Sequence, residues 1–230
     1  VIGTMLILIV WKNITGRAIR EQQRIAMTNA VAHNLKTPLC VINGFSENLR
    51  EESGYLTKQH YINVIQEQAN EMDILVHKML NFSKLESDSA KLNIKSFNIK
   101  TELENIAKKY NDISSKNIIV TADDKEIFAD KELMELVFEN LIENAVKYSK
   151  DNSDIEISFA NNNFNISNEC DEISKKDLKK IWKPYNRLEK DEEVRGTGIG
   201  LSIVKHILKL HRIKPYTEYS GGRLIIGFYI

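Results

Sequence analysis

The chain carries no surplus of either charge: 32 Lys and Arg balance 32 Asp and Glu over 230 residues. That argues against nucleic acid as a main partner, because gripping a phosphate backbone needs a basic excess. Cysteine is scarce. Cys40 and Cys170 match no metal-ligand spacing, and two cysteines make no disulfide framework, so both read as ordinary buried thiols. There are no internal repeats. Long hydrophobic runs are also missing. The apolar stretch Val1–Trp11 begins without a methionine, as if cut from something longer. As a helix it would reach only about 16 Å, against a bilayer core of ~30 Å. The basic region that opens a signal peptide is not there either. Lys12, Arg17, Arg20 and Arg24 follow the run instead, the flank expected on the cytoplasmic side of a span, and Trp11 stands where an interfacial aromatic would. Residues 1–18 are therefore expected to be the inner half of a last transmembrane helix with its juxtamembrane segment. The rest would lie in the cytoplasm, anchored to the cell membrane.

What the chain does have is two textures. From Ile19 to Glu52 the first proline is Pro38, and Leu35, Leu39, Ile42, Phe45 and Leu49 recur at helical spacing. Ser53-Gly54 signals a turn. A second periodic run, from Thr57 to about Ser87, carries Ile62, Ile65, Ala69, Met72, Val76, Met79 and Phe82. Two helices cannot bury such a stripe alone, so a hairpin that pairs with a second copy into a four-helix bundle is expected. After Leu92, short strands alternate with helices. Strands are expected at Leu92–Asn98, Asn117–Thr121, Glu126–Ala129, Asp154–Ala160, Asn163–Ser167, Ile213–Ser220 and Arg223–Ile230. Helices are expected near Thr101–Asp112, Lys131–Ser149 (with Asp130 as N-cap), Lys175–Ile181 and Gly198–His211. The class is α+β: a hairpin domain over residues 19–90, then an α/β sandwich over 91–230 with a mixed sheet covered by helices on one face. The polar stretch Glu86-Ser-Asp-Ser-Ala90 marks the boundary.

Three groups of residues carry chemistry. His33 lies two positions before Leu35, roughly 200° around the helix from the apolar seam, so it points outward. A neutral imidazole is a nucleophile at physiological pH without a strong base beside it. Pro38, five residues on, removes a backbone hydrogen bond and should bend the helix. Asn140 and Asn144 sit one turn apart on one helix face, and such neutral oxygens suit a Mg²⁺ held otherwise by water and phosphates. Gly196-Thr197-Gly198-Ile199-Gly200 runs straight into a helix beginning at Leu201. Glycines let backbone approach phosphate, and the helix N-terminus adds a favourable dipole.

In this order, Ala32-His33-Asn34-Leu35-Lys36-Thr37-Pro38, Asn140-Leu-Ile-Glu-Asn144-Ala-Val-Lys147-Tyr148 and Arg195-Gly-Thr-Gly-Ile-Gly-Leu201 resemble the boxes of bacterial sensor histidine kinases. The resemblance covers nearly everything after Arg20. It implies an enzyme that binds ATP and Mg²⁺, phosphorylates His33, and passes the phosphoryl group to an aspartate of a cognate response regulator. It implies a homodimer. It makes Asn144 the Mg²⁺ ligand, puts Asn140 beside the phosphates, Lys147 on a phosphate and Tyr148 against the nucleotide. Thr37 would orient the water that dephosphorylates the regulator. Arg187, Arg195, Gly196, Thr197, Gly198, Ile199, Gly200 and Leu201 would contribute to the nucleotide site, and the polar stretch from Asn186 to Arg195 would serve as a lid. Ile181-Trp182-Lys-Pro-Tyr185-Asn-Arg187 is similar to the family's aromatic box, with Trp and Tyr in place of two phenylalanines.

Two departures stand out. Asn34 replaces the acid that usually follows the histidine, and an amide oxygen accepts a hydrogen bond but takes no proton at neutral pH. Asn168-Glu-Cys170-Asp-Glu172 replaces Asp-x-Gly-x-Gly, where the aspartate accepts from the adenine amino group. Asn168 still offers an acceptor, without charge assistance. These departures leave two other readings open: a kinase-impaired, phosphatase-biased member, and an ATPase of the related gyrase and chaperone nucleotide fold. A non-catalytic dimerisation module is a third.

Overall fold

The structure is a computed structural model that describes residues 11, 32, 35–50, 57–86 (backbone alone for 77–86), 92–184 and 198–230. The chain divides into two compact units, Val1–Leu80 and Asn81–Ile230.

In the first unit, residues 35–50 form helix α1 and Lys58–Glu86 form α2. Phe45 of α1 meets Tyr61 of α2 edge to face, with ring centroids 5.7 Å apart. Among the described side chains of α2 the buried ones are Tyr61, Gln68 and Leu75, a strict seven-residue repeat. Their neighbours one position on, Ile62, Ala69 and Val76, repeat at the same interval and stay exposed in the single chain. The buried stripe is thus shifted by one position from the seam expected from sequence, and α2 carries two stripes. One closes the hairpin, and the other is left uncovered. Cys40 departs from expectation: it is exposed, because its place on α1 lies away from the face that buries Pro38. Cys170 is buried, as expected.

Among the described residues, no helix is long and apolar enough to cross a membrane. Residues 1–10 and the basic flank at Lys12, Arg17, Arg20 and Arg24 lie outside the described residues.

In the second unit the elements run β1 (Ile94–Asn98), α3 (Ile99–Ile113), β2 (Ile118–Ala122), β3 (Glu126–Asp130), α4 (Lys131–Tyr148), β4 (Ile155–Ala160), β5 (Asn163–Glu169), α5 (Lys175–Lys180), α6 (Gly200–Leu210), β6 (Pro215–Ser220) and β7 (Arg223–Tyr229). The main sheet has the order β2-β4-β5-β7-β6. The β2–β4 pair is parallel and the other pairs are antiparallel. Strands β1 and β3 form a separate antiparallel pair rather than extending that sheet.

Along β4, β5 and β7 alternate residues turn inward: Ile155, Ile157 and Phe159, then Phe164 and Ile166, then Leu224, Ile226 and Phe228. Helices cover that face. Phe138 of α4 lies 5.2 Å from Phe164, which stands 4.8 Å from Phe228. Each of these fully buried rings contributes about 2 kcal/mol of burial. Helix α3 starts two residues earlier than its periodicity suggests, because the Asn98 side chain accepts from the Thr101 amide at 2.9 Å.

Candidate functional site

Helix α4 is the spine of the site. Asp130 caps it, accepting from the Leu133 amide through Oδ1 at 3.2 Å, and with Oδ2 it also takes the Asn93 amide at 2.9 Å. The Asp130 amide donates to His211 Nε2 at 3.1 Å, and His211 Nδ1 lies 2.9 Å from the Ile207 carbonyl. An imidazole that accepts at Nε2 has Nδ1 left to donate to that carbonyl. One carboxylate and one imidazole thus join the first residues of the unit, the start of α4 and the end of α6.

The flank of α4 facing α3 is held by charge. Lys109 Nζ reaches Glu139 Oε1 at 2.6 Å, and Tyr110 donates to Glu143 Oε1 at 3.1 Å. Burial first, and then the negative charge of Glu143 and Glu139, pushes the Tyr110 phenol well above its ordinary range, so it remains a donor at any physiological pH.

The next face round the helix carries Asn140 and Asn144. Asn140 is 4% exposed; its Nδ2 donates to the Leu136 carbonyl at 2.7 Å, while its Oδ1 is buried and has no partner. That oxygen points at the start of α6, where a Cβ added to Gly200 would stand 3.0 Å from it. A side chain at position 200 would crowd the Asn140 amide, and glycine keeps the approach open. Two residues earlier Gly198 has φ 66°, a left-handed conformation that favours glycine. No side chain caps α6, whose first turn leaves amide donors for an anion. An orphaned acceptor, a bare backbone approach and an uncapped helix start therefore coincide. An anionic ligand with its counter-cation satisfies all three, and a buried oxygen left without any partner would cost about 1–3 kcal/mol.

Asn144 is half-buried one turn further on. Lys147 follows on the same helix, its ammonium 5.3 Å from the ring centre of Tyr148. Ile199 differs from the simple expectation: its side chain is fully buried, so only its backbone can face a ligand. Leu201 is half-buried. Asn168 lies on β5, which runs two residues past its expected end, and its side chain faces the core at 3% exposure. Trp182 of the aromatic box is packed, its indole nitrogen donating to Thr217 Oγ1 on β6 at 3.5 Å. Thr37 is exposed on α1. His33, Asn34, Arg187, Arg195, Gly196, Thr197 and the segment expected to be a lid lie outside the described residues.

One positioning group gives no sequence signal at all. Lys116, before β2, inserts its ammonium beneath the end of α4: Nζ donates to the carbonyls of Ser149 at 3.2 Å and Lys150 at 2.8 Å and to Asp151 Oδ1 at 3.2 Å. Its side chain is only 10% exposed. The cation satisfies carbonyls that a helix end leaves open. Removing charged hydrogen bonds from a buried position costs on the order of 2 kcal/mol. Lys116→Met is expected to lower the thermal midpoint of this unit by about 4–8 °C. A calorimetric scan with an unchanged upper transition would show that the clamp contributes nothing.

Comparison with known proteins gives matches to both units. The family model described as histidine kinase-, DNA gyrase B-, and HSP90-like ATPase matches residues 129–226, and that of the His Kinase A (phospho-acceptor) domain matches residues 23–88. The chain is 25% identical over 206 residues to the sensor histidine kinase ArsS of Helicobacter pylori, covering 89% of this chain and 46% of the relative. It is 27% identical over 218 residues to the sensor protein kinase WalK of Staphylococcus aureus, covering 88% and 52%. The chain thus spans about half the length of these curated relatives. Among solved structures, the Acinetobacter baumannii histidine kinase AdeS superposes with a TM-score of 0.70 at 21% identity, over 86% of this chain and 96% of that one. The histidine kinase ThkA, in complex with the response regulator protein TrrA, gives 0.69 at 22% identity, over 95% and 65%. At these identities the solved structures speak for the fold alone.

Proposed function

This chain belongs to the two-component sensor histidine kinases, and we propose that it autophosphorylates His33 from ATP and hands the phosphoryl group to an aspartate of a response regulator. The observation that carries the reading is the orphaned Asn140 Oδ1 facing the bare Gly200 approach and the uncapped start of α6. These residues fit a triphosphate and its cation. Asn144 would hold the Mg²⁺, which when bound neutralises charge on the phosphates. Lys147, Tyr148, Asn168, Arg187, Arg195 and the stretch Gly196 to Leu201 complete the nucleotide site.

In the transfer, an imidazole nitrogen of His33 forms a bond to the γ-phosphorus as the bond to the bridging oxygen breaks. ADP leaves with that electron pair, and the proton on the other ring nitrogen is released. The protein's share is positioning and charge neutralisation. Thr37, four positions after His33 in sequence, orients water when the regulator is dephosphorylated. Residues 1–18 tether the molecule to the membrane, 19–90 dimerise and carry the phosphate, and 91–230 bind ATP in the cytoplasm.

The uncovered stripe of Ile62, Ala69 and Val76 supports the dimer. Ile62→Glu with Val76→Glu places four carboxylates in the bundle and is expected to convert dimer to monomer by light scattering. A dimer of unchanged mass would place the interface elsewhere.

Incubation of the purified chain with γ-labelled ATP and Mg²⁺ tests the main reading. Acid-labile, base-stable label is expected on the protein. Nucleotide turnover with no label on protein would favour the ATPase reading instead. One observation favours a kinase-impaired, phosphatase-biased enzyme: Asn34 offers no proton acceptor beside His33. Slow labelling with intact regulator dephosphorylation is the signature of that case.

A further inference from the structure

We propose that Ser202 is a positioning residue of the nucleotide site: its buried hydroxyl locks the peptide between Ile199 and Gly200, so that the Gly200 amide faces the phosphates of the nucleotide. This deepens the nucleotide reading above and rests on it.

Ser202 is the third residue of α6 and is only 7% exposed. Its Oγ donates to the Ile199 carbonyl at 2.6 Å. The same carbonyl accepts from the Ile203 amide at 3.0 Å, so both of its lone pairs are taken. The Ile199 side chain is fully buried as well. This residue is therefore anchored in the core by its side chain and on α6 by its carbonyl.

A peptide unit is planar and trans, so its carbonyl and its amide hydrogen point in opposite directions. A carbonyl drawn down α6 by Ser202 and Ile203 sends the Gly200 N–H back out of the helix start. Asn140 Oδ1, buried and without a partner, stands beside that same residue. Gly198, just before, has φ 66° and no side chain to restrain the approach to the helix. The hydroxyl thus orders in advance an amide that a looser loop would have to order on binding.

The third residue of α5 shows what another choice does. There Asp177 folds its carboxylate back on the cap, with Ser174 Oγ donating to Oδ2 at 2.7 Å. A carboxylate in that place satisfies the helix start by itself and competes with an incoming anion. Ser202 is neutral and turned towards a carbonyl, so it steadies the start of α6 without occupying it.

The test is displacement of trinitrophenyl-ATP by ATP with Mg²⁺ in the full chain, followed by autophosphorylation at varied ATP. Ser202→Ala is expected to bind ATP about five- to tenfold more weakly, the worth of one net hydrogen bond. Half-saturation should rise by the same factor at an unchanged maximal rate, because the amide is aligned equally in ground and transition states. Alanine is the better helix former, so the thermal midpoint should hold. A serine that merely held the helix together would give the reverse, a lower midpoint with unchanged affinity. Ser202→Thr keeps the hydroxyl and is expected to restore binding; Ser202→Ala alone carries the comparison if the threonine variant does not fold. An affinity in Ser202→Ala within about twofold of wild type, or a lower maximal rate at unchanged half-saturation, overturns the proposal and leaves the nucleotide reading intact. If ATP does not displace the analogue from wild type, the nucleotide reading of this unit fails, and this inference fails with it.

Discussion

Replacing His33 with alanine is expected to abolish protein-bound phosphate, by at least about 10³-fold, while the affinity for ATP stays at the wild-type value. The first half follows from chemistry: without the attacking nitrogen no phosphoramidate forms, and nucleophile deletions are not rescued by the rest of a site. The second half follows from organisation. In the proposed reading His33 receives phosphate and holds no nucleotide, which is the work of Asn140, Asn144, Lys147 and Gly200 in the unit Asn81–Ile230. The chain has five histidines, so the residual label is informative. His211 cannot substitute, since one ring nitrogen accepts from the Asp130 amide and the other faces the Ile207 carbonyl. His60 is exposed on α2, and label persisting in His33→Ala would point there, to His77 or to His206 on α6. Acid treatment of the labelled variant, followed by peptide mapping, distinguishes these outcomes. Undiminished acid-labile label in His33→Ala would end the assignment of the phosphoacceptor.

Why some of this was legible in the sequence and some was not is a matter of range. Local signals held up. The Asp130 cap, the one-turn spacing of Asn140 and Asn144, and the strand runs with apolar alternation all depend on residues within a turn or a pleat of one another. Strand β5 was cut short at Ser167 because its next inward position is Asn168, which breaks the alternation where the strand continues. The separate pairing of β1 with β3 has no local signature, since either five-residue strand could have joined the larger sheet. Residue type alone suggests a buried Cys40, but its helical position is off the buried face. Asn140 was expected to lie beside phosphate. Its spacing said nothing of the back-bond to Leu136, which spends Nδ2 and leaves only Oδ1. Lys116 reaches across more than thirty positions to the end of α4, and a loop lysine gives no hint of that.

The converse change at the phosphoacceptor is a gain. Asn34→Asp is expected to raise the initial rate of autophosphorylation by about 10²-fold or more, with the concentration of ATP at half-saturation unchanged. As the nitrogen–phosphorus bond forms, the imidazole would otherwise carry a full positive charge. A carboxylate next to it accepts the hydrogen bond of the second ring nitrogen, holds the tautomer that exposes the attacking nitrogen, and takes up the departing proton. An amide oxygen does the first and second of these but not the third at neutral pH. The deficit therefore lies in the transition state rather than in binding, which is why the maximal rate moves and half-saturation does not. Regulator dephosphorylation provides the internal control. In the proposed reading it needs water oriented by Thr37 and no proton transfer from His33, so Asn34→Asp should raise the kinase rate while leaving that rate within its wild-type range. A labelling rate that is unchanged or lower in Asn34→Asp would mean that residue 34 does not govern proton removal, and that the phosphatase-biased reading loses its physical basis.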